Sequence, residues 1–111
     1  MLFRSAELVV WGSGTPRREF LYVDDLADAC VHLMNIGYAG PLVNIGTGED
    51  VTIRELAETV MKVIGYAGRI AYDTGKPDGT PRKLLDSSKL HGLGWRPRIP
   101  LREGIRQTYD W

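Results

Sequence analysis

Polar and apolar positions change period several times along the chain. Leu8, Val9, Val10 and Trp11 form a short apolar run closed by Gly12-Ser13-Gly14, which predicts a strand over residues 7–11. Residues 18–23 alternate, with Phe20 and Tyr22 on one face and Leu21 and Val23 on the other, and predict a second strand. The period then lengthens. Leu26, Ala29, Cys30, Leu33 and Met34 recur at helical spacing, which places Cys30 on a core-facing stripe. Asp24 or Asp25 is the expected cap of this helix, and Gly37 its expected end. Residues 42–45 read as a short buried strand. Thr52-Ile53-Arg54-Glu55 is a capping box, in which the hydroxyl and the carboxylate each satisfy a free amide. The helix it starts buries Ile53, Leu56, Ala57, Val60 and Ile64 and ends at Gly65. Residues 69–72 predict another strand. Ser87 or Ser88 caps a single turn through His91, and Pro100 opens a last helix with Leu101, Ile105 and Tyr109 on one face. The pattern is mixed α/β, with short strands and three or four helices in one unit over residues 1–111, and without repeats or linkers.

Composition narrows the class. A chain of 111 residues, 43% apolar and 25% charged, is an ordinary globular domain. It can bury roughly 65% of its unfolded surface. No apolar run approaches the length of a membrane span, and residues 1–5 lack the apolar stretch of a signal peptide. The single Cys30 excludes an internal disulfide and suits the reducing cytoplasm. The net charge of zero is unevenly spread. Residues 1–75 carry six basic and ten acidic side chains, and residues 76–111 carry eight basic and four acidic. The C-terminal third can therefore attract an anion. Nucleic acid is not the expected partner, because the cations are not interleaved with aromatics and the pI is about 6.7.

The segment Lys76-Pro77-Asp78-Gly79-Thr80-Pro81-Arg82-Lys83 concentrates candidate chemistry. Its prolines exclude helix and central strand. A stiff loop presenting Lys76, Arg82 and Lys83 beside Asp78 suits a ligand carrying both phosphate and hydroxyl groups. The plainer alternative is a solvated, proline-stiffened turn.

Several apparent motifs are weaker. Gly12-Ser13-Gly14 and Gly46-Thr47-Gly48 begin like dinucleotide fingerprints, but Arg17 and Val51 stand where the third glycine belongs. Tyr72 and Lys76 have the spacing of a reductase dyad, yet Gly75 and Pro77 deny them the shared helix face that would let lysine depress the tyrosine pKa. His32 and His91 have no partner at metal-ligand spacing, so no metal is expected. Asp24-Asp25 reads more economically as a cap than as paired catalytic carboxylates.

The run Arg18-Glu19-Phe20-Leu21-Tyr22-Val23-Asp24-Asp25 resembles a segment of extended short-chain dehydrogenase/reductases that act on nucleotide sugars. Trp11-Gly12-Ser13-Gly14-Thr15-Pro16, Asn44-Ile45-Gly46-Thr47-Gly48 and residues 76–86 are similar, more narrowly, to the GDP-L-fucose synthase family. The resemblance runs from about residue 8 to residue 111 and covers that family's C-terminal, substrate-binding part. It implies an α/β fold lacking the glycine-rich cofactor-binding half. It implies a GDP-sugar substrate and NADP(H) in the intact enzyme, held mainly by the absent half. There, GDP-4-keto-6-deoxy-D-mannose is epimerised at two carbons and reduced at C4. It further implies substrate contacts from Trp11, Arg18, Asp78 and Lys83. No catalytic residue is expected in this chain, so the chain alone should be inactive. The intact enzyme is expected to be cytoplasmic and compatible with a homodimer. Tyr22 stands where histidine is common, and Arg17 where an uncharged residue is common. Residues 1–6 do not continue the family pattern, as in a truncated reading frame or a fragment. Two alternatives stay open: part of another nucleotide-sugar epimerase or dehydratase, or a non-catalytic module that binds nucleotide sugars. From the residues alone, Trp11 could instead be core, and Arg18 could be paired to a carboxylate.

Overall fold

The computed structural model describes residues 7–111, so the expectations for residues 1–6 lie outside the described residues. Strand β1 (Glu7–Trp11) forms where expected and pairs in parallel with β4 (Arg69–Asp73), from Glu7 beside Arg69 to Trp11 beside Asp73. The Gly12 amide continues this ladder by donating to the Asp73 carbonyl at 2.8 Å. Gly12 and Gly14 both have positive φ, 87° and 78°, as the sharp turn after β1 requires.

A second sheet consists of three two-residue strands. β2 (Arg17–Arg18) lies between antiparallel β3 (Val51–Thr52) and parallel β5 (Arg82–Lys83). The expected strand over 18–23 is therefore much shorter. Its neighbours supply only two pairs each, so the ladder ends at Arg18, and Val23 already belongs to a helix. Leu21 packs on the core, and all three of Phe20, Leu21 and Tyr22 line an apolar groove. β5 occupies a sheet edge, which the proline-bearing loop permits.

Helix α1 (Val23–Asn35) follows, with Gly37 in a left-handed conformation just beyond it. Two expectations fail here. Neither aspartate caps the helix, because Tyr22 holds the cap position and no side chain bonds there. The buried Asp25 carboxylate instead accepts from the Arg98 and Ile99 amides at 2.9–3.2 Å, tying α1 to the chain before the last helix. Leu26, Cys30 and Met34 are exposed rather than core. Only one side of α1 is covered, where Ala29 and Leu33 meet Leu90 and Trp95. Residues 42–45 form no strand.

Helix α2 (Ile53–Ile64) carries the expected capping box. The Thr52 hydroxyl accepts from the Glu55 amide at 3.0 Å, and the Glu55 carboxylate accepts from the Thr52 amide at 3.3 Å. Gly65, at φ 72°, ends it. The short α3 (Ser88–Gly92) brings Leu90 into the core, and α4 (Leu101–Asp110) starts after Pro100. α4 packs against α2. Its buried Gly104 lies against Tyr22, where an added Cβ would meet the ring at 3.2 Å. Between β1, α2 and α4 an apolar groove of about 670 Å³ stays open, lined by Phe20, Leu56, Ile64, Ile105 and Tyr109 among others.

Candidate functional site

Strand periodicity sets the chemistry of β2. Successive side chains point to opposite faces, so Arg17 and Arg18 meet different neighbours. Arg17 pairs with Arg82 across β2 and β5, and Arg18 with Lys83. On the first face Asp50 neutralises both arginines: Arg17 Nε donates to Oδ1 at 3.0 Å and Arg82 Nε to Oδ2 at 2.7 Å. The Asp50 side chain is only 4% exposed. Its burial pushes the carboxyl upward, but the hydrogen bonds and charges of the two arginines outweigh this and hold it below the usual carboxylate range. Arg82 is thus structural, and the carboxylate partner weighed for Arg18 belongs to Arg17.

On the second face Arg18 donates through Nη1 to the Arg17 carbonyl at 2.7 Å, and no acidic side chain pairs with it among the described residues. Its register partner Lys83 is exposed. The Arg18 guanidinium reaches Gly79, where an added Cβ would lie 3.9 Å from Nη2. Two adjacent cations are therefore presented beside the tip of the Pro-Asp-Gly loop.

The other two candidates flank this pair. Trp11 is 70% exposed, outside the core formed by the described residues, and Lys76 Nζ lies 5.0 Å from its ring centroid. Asp78 is fastened to the turn after β1: Oδ1 accepts from the Ser13 amide at 2.6 Å and Oδ2 from the Ser13 hydroxyl at 2.8 Å. Gly12 has no Cβ because Asp78 Oδ1 occupies that space. One carboxylate thus couples Trp11, through its turn, to the loop that passes Arg18. The structure pairs Arg18 with Lys83 in register and ties Asp78 to the turn after Trp11, while the cleft that Arg18 helps to line includes none of the other three.

The Ser13 amide, and secondarily its hydroxyl, holds the Asp78 carboxyl below its ordinary value of 3.8 against a smaller effect of burial. A depressed folded pKa means this latch contributes fully above 3.8 and is lost as pH falls through the folded value. The Ser13 amide resonance is expected to titrate with a midpoint below 3.8. A midpoint at or above that value would show that the latch does not hold the charged form.

Sequence reading assigned no role to Glu19. Its Oε2 accepts from the Gly48 amide at 2.7 Å and the Thr47 hydroxyl at 3.2 Å, and Oε1 from the Leu85 amide at 3.4 Å. It joins the segment after β2, the Gly-Thr-Gly turn and the chain after β5. Gly46 admits it: an added Cβ would lie 2.7 and 2.8 Å from the two carboxylate oxygens. The bare glycine at Gly46, so close to the turn, was the available signal.

These contacts decide what the glycine turns can bind. A phosphate cradle needs free amides. The chain's own carboxylates take them, Asp78 at Ser13 and Glu19 at Gly48. The residues present do not fit a dinucleotide cofactor at either turn. Tyr72 and Lys76 also serve separate contacts. Tyr72 lies in β4 with the Arg54 guanidinium 4.6 Å from its ring centroid, whereas Lys76 lies over Trp11. Among the described residues no cluster of three His, Cys, Asp or Glu could hold a metal, and no helix is long and apolar enough to cross a membrane.

Residues 2–46 match the NAD dependent epimerase/dehydratase family. The chain is 63% identical over 106 residues to GDP-L-fucose synthase 1 of Arabidopsis thaliana, covering 95% of this chain and 32% of that protein. Among solved structures, a GDP-L-fucose synthetase from Naegleria fowleri superposes with a TM-score of 0.85 at 27% identity, over 95% of this chain and 33% of that one. The GDP-mannoheptose C4 reductase MlghC from Campylobacter jejuni, solved with NADP bound, gives 0.83 at 37% identity, over 95% and 34%. The chain spans about a third of the length of these proteins. By sequence and fold, over 95% of its length, this chain is related to the GDP-L-fucose synthases.

Proposed function

We propose that this chain is the C-terminal, GDP-sugar-binding part of a GDP-L-fucose synthase. The observation that carries this reading is the in-register Arg18–Lys83 pair, without acidic partners among the described residues and with Arg18 beside Gly79, while the neighbouring Arg17 and Arg82 are neutralised by Asp50. Arg18 bridges the diphosphate, because a guanidinium can engage two phosphate oxygens, and Lys83 adds a point charge beside it. Trp11 offers its exposed face to the nucleoside. Asp78 sets the spacing of these groups through Ser13, and the remaining lone pairs of its carboxylate can accept from a ribose hydroxyl or the guanine edge.

The parent enzyme epimerises GDP-4-keto-6-deoxy-D-mannose at two carbons and reduces its 4-keto group with NADPH, in the cytoplasm. NADPH binding and proton transfer belong to residues outside this chain, since its glycine turns are already occupied and Tyr72 sits in a strand. The isolated chain is therefore expected to bind nucleotide without oxidising NADPH. Competition of GDP, UDP and dTDP against a fluorescent GDP analogue tests the assignment. GDP should displace the analogue at the lowest concentration. Equal displacement by UDP or dTDP would point instead to another nucleotide-sugar epimerase or dehydratase.

A further inference from the structure

Both pairings between β2 and β5 set cation against cation. Arg17 stands in register with Arg82, and Arg18 with Lys83. Like charges directly opposite across a ladder repel. The ladder has only these two pairs, and β5 is exposed at the sheet edge. Among the described residues a counter-charge stands on one face alone, at Asp50. Asp50 immediately precedes β3, on the far side of β2 from β5. Its carboxylate accepts from Arg17 on the central strand and, at the shorter distance of 2.7 Å, from Arg82 on β5. One side chain thus links all three strands and converts repulsion into attraction on its own face. The other ties on β5 lie outside its two residues: the Arg17 amide donates to the Pro81 carbonyl at 2.8 Å, and the Leu85 amide to Glu19 at 3.4 Å.

We propose that Asp50 and Arg82 are positioning residues for the anion site: their ion pair straps β5 to β2 and so holds Lys83 beside Arg18, with both cations free to meet phosphate. The strap works from the opposite face, so it adds no negative charge where the ligand sits. Its Asp50 end is anchored, with the side chain 4% exposed, while the Arg82 side chain is 60% exposed and can be changed without opening the core. Without the strap, the bare Arg18–Lys83 pair pushes β5 outward, and Lys83 leaves the reach of a ligand held by Arg18. The effect of Arg82 on binding therefore passes through Lys83. The inference rests on the reading of Arg18 and Lys83 as diphosphate contacts.

The test measures GDP and guanosine binding to the 111-residue chain and its variants, beside amide exchange without ligand. Arg82→Ala should weaken GDP binding roughly fivefold and leave guanosine, which lacks phosphate, unchanged. Arg82→Lys, which keeps a cation for Asp50, should restore most of the GDP affinity. In a Lys83→Ala chain the further change Arg82→Ala should have almost no effect on GDP binding. Exchange at the Arg17 amide, which donates to Pro81, should quicken about tenfold or more in Arg82→Ala, while the Ile53 amide, which donates to Pro16, keeps its rate. Equal losses for GDP and guanosine would mean a general structural effect and overturn the proposal, as would additive losses from Arg82→Ala and Lys83→Ala. Unchanged GDP affinity in Arg82→Ala also overturns it. If the unaltered chain takes up no GDP, the functional reading fails, and the exchange rates still decide the strap: an Arg17 amide that does not quicken rules it out.

Discussion

Gly46→Ala is expected to destabilise the fold by about 3 kcal/mol, which lowers Tm by on the order of 10 °C in a domain of this size. The added methyl would stand 2.7–2.8 Å from both Glu19 carboxylate oxygens. These are too close to stay, and the carboxylate cannot retreat without leaving the Gly48 amide at 2.7 Å. The cost therefore combines overpacking at the buried Gly46 with the loss of charge-assisted hydrogen bonds from Gly48 and Thr47. A double-mutant cycle isolates the cause. If the clash with Glu19 is responsible, Gly46→Ala should cost little more once Glu19→Ala has removed the carboxylate. Additive costs in thermal unfolding would place the strain elsewhere.

Arg18→Ala and Arg17→Ala should separate cleanly although the residues are adjacent. Among the described residues Arg18 has no acidic partner, and it projects beside Gly79, so its removal should reduce GDP affinity by roughly 50- to 100-fold, about 2–3 kcal/mol, with little change in Tm. Lys83→Ala should cost less, roughly five- to tenfold, because an ammonium is a point charge rather than a fork. Arg17→Ala removes one of the two cations that Asp50 holds, so it should lower Tm and leave Arg82 as that carboxylate's sole ion-pair partner. Weaker GDP binding caused by Arg17→Ala at full stability would invert the assignment of the two faces. Titration calorimetry beside thermal melts of each variant decides between these outcomes.

Local signals made β1, α2 and α4 legible in the sequence. Each is specified by residues within itself: the Gly12-Ser13-Gly14 stop, the Thr52–Glu55 box with Gly65, and Pro100 before a periodic face. Features that depend on distant chain were not legible. Asp50 serves two arginines that lie 33 and 32 residues away, and Asp25 serves amides 73 and 74 residues away. Helical spacing correctly placed Leu26, Cys30 and Met34 on an apolar stripe but could not say that nothing among the described residues would cover it. The same holds for residues 42–45, whose pattern is that of a strand but which pair with no strand among the described residues. In the candidate site, no local pattern signalled that Ser13 engages Asp78, a contact across 65 residues. Period-two reasoning at Arg17-Arg18 could have assigned the two guanidiniums to opposite faces, and so to different duties.

The central claim is that this chain carries a GDP-sugar site built on Arg18, Lys83 and Trp11. Isothermal titration of the folded 111-residue chain with GDP tests it most directly. The expected result is saturable one-to-one binding that Arg18→Ala largely removes. A folded chain that takes up no GDP, or one whose affinity is untouched by Arg18→Ala, would contradict it.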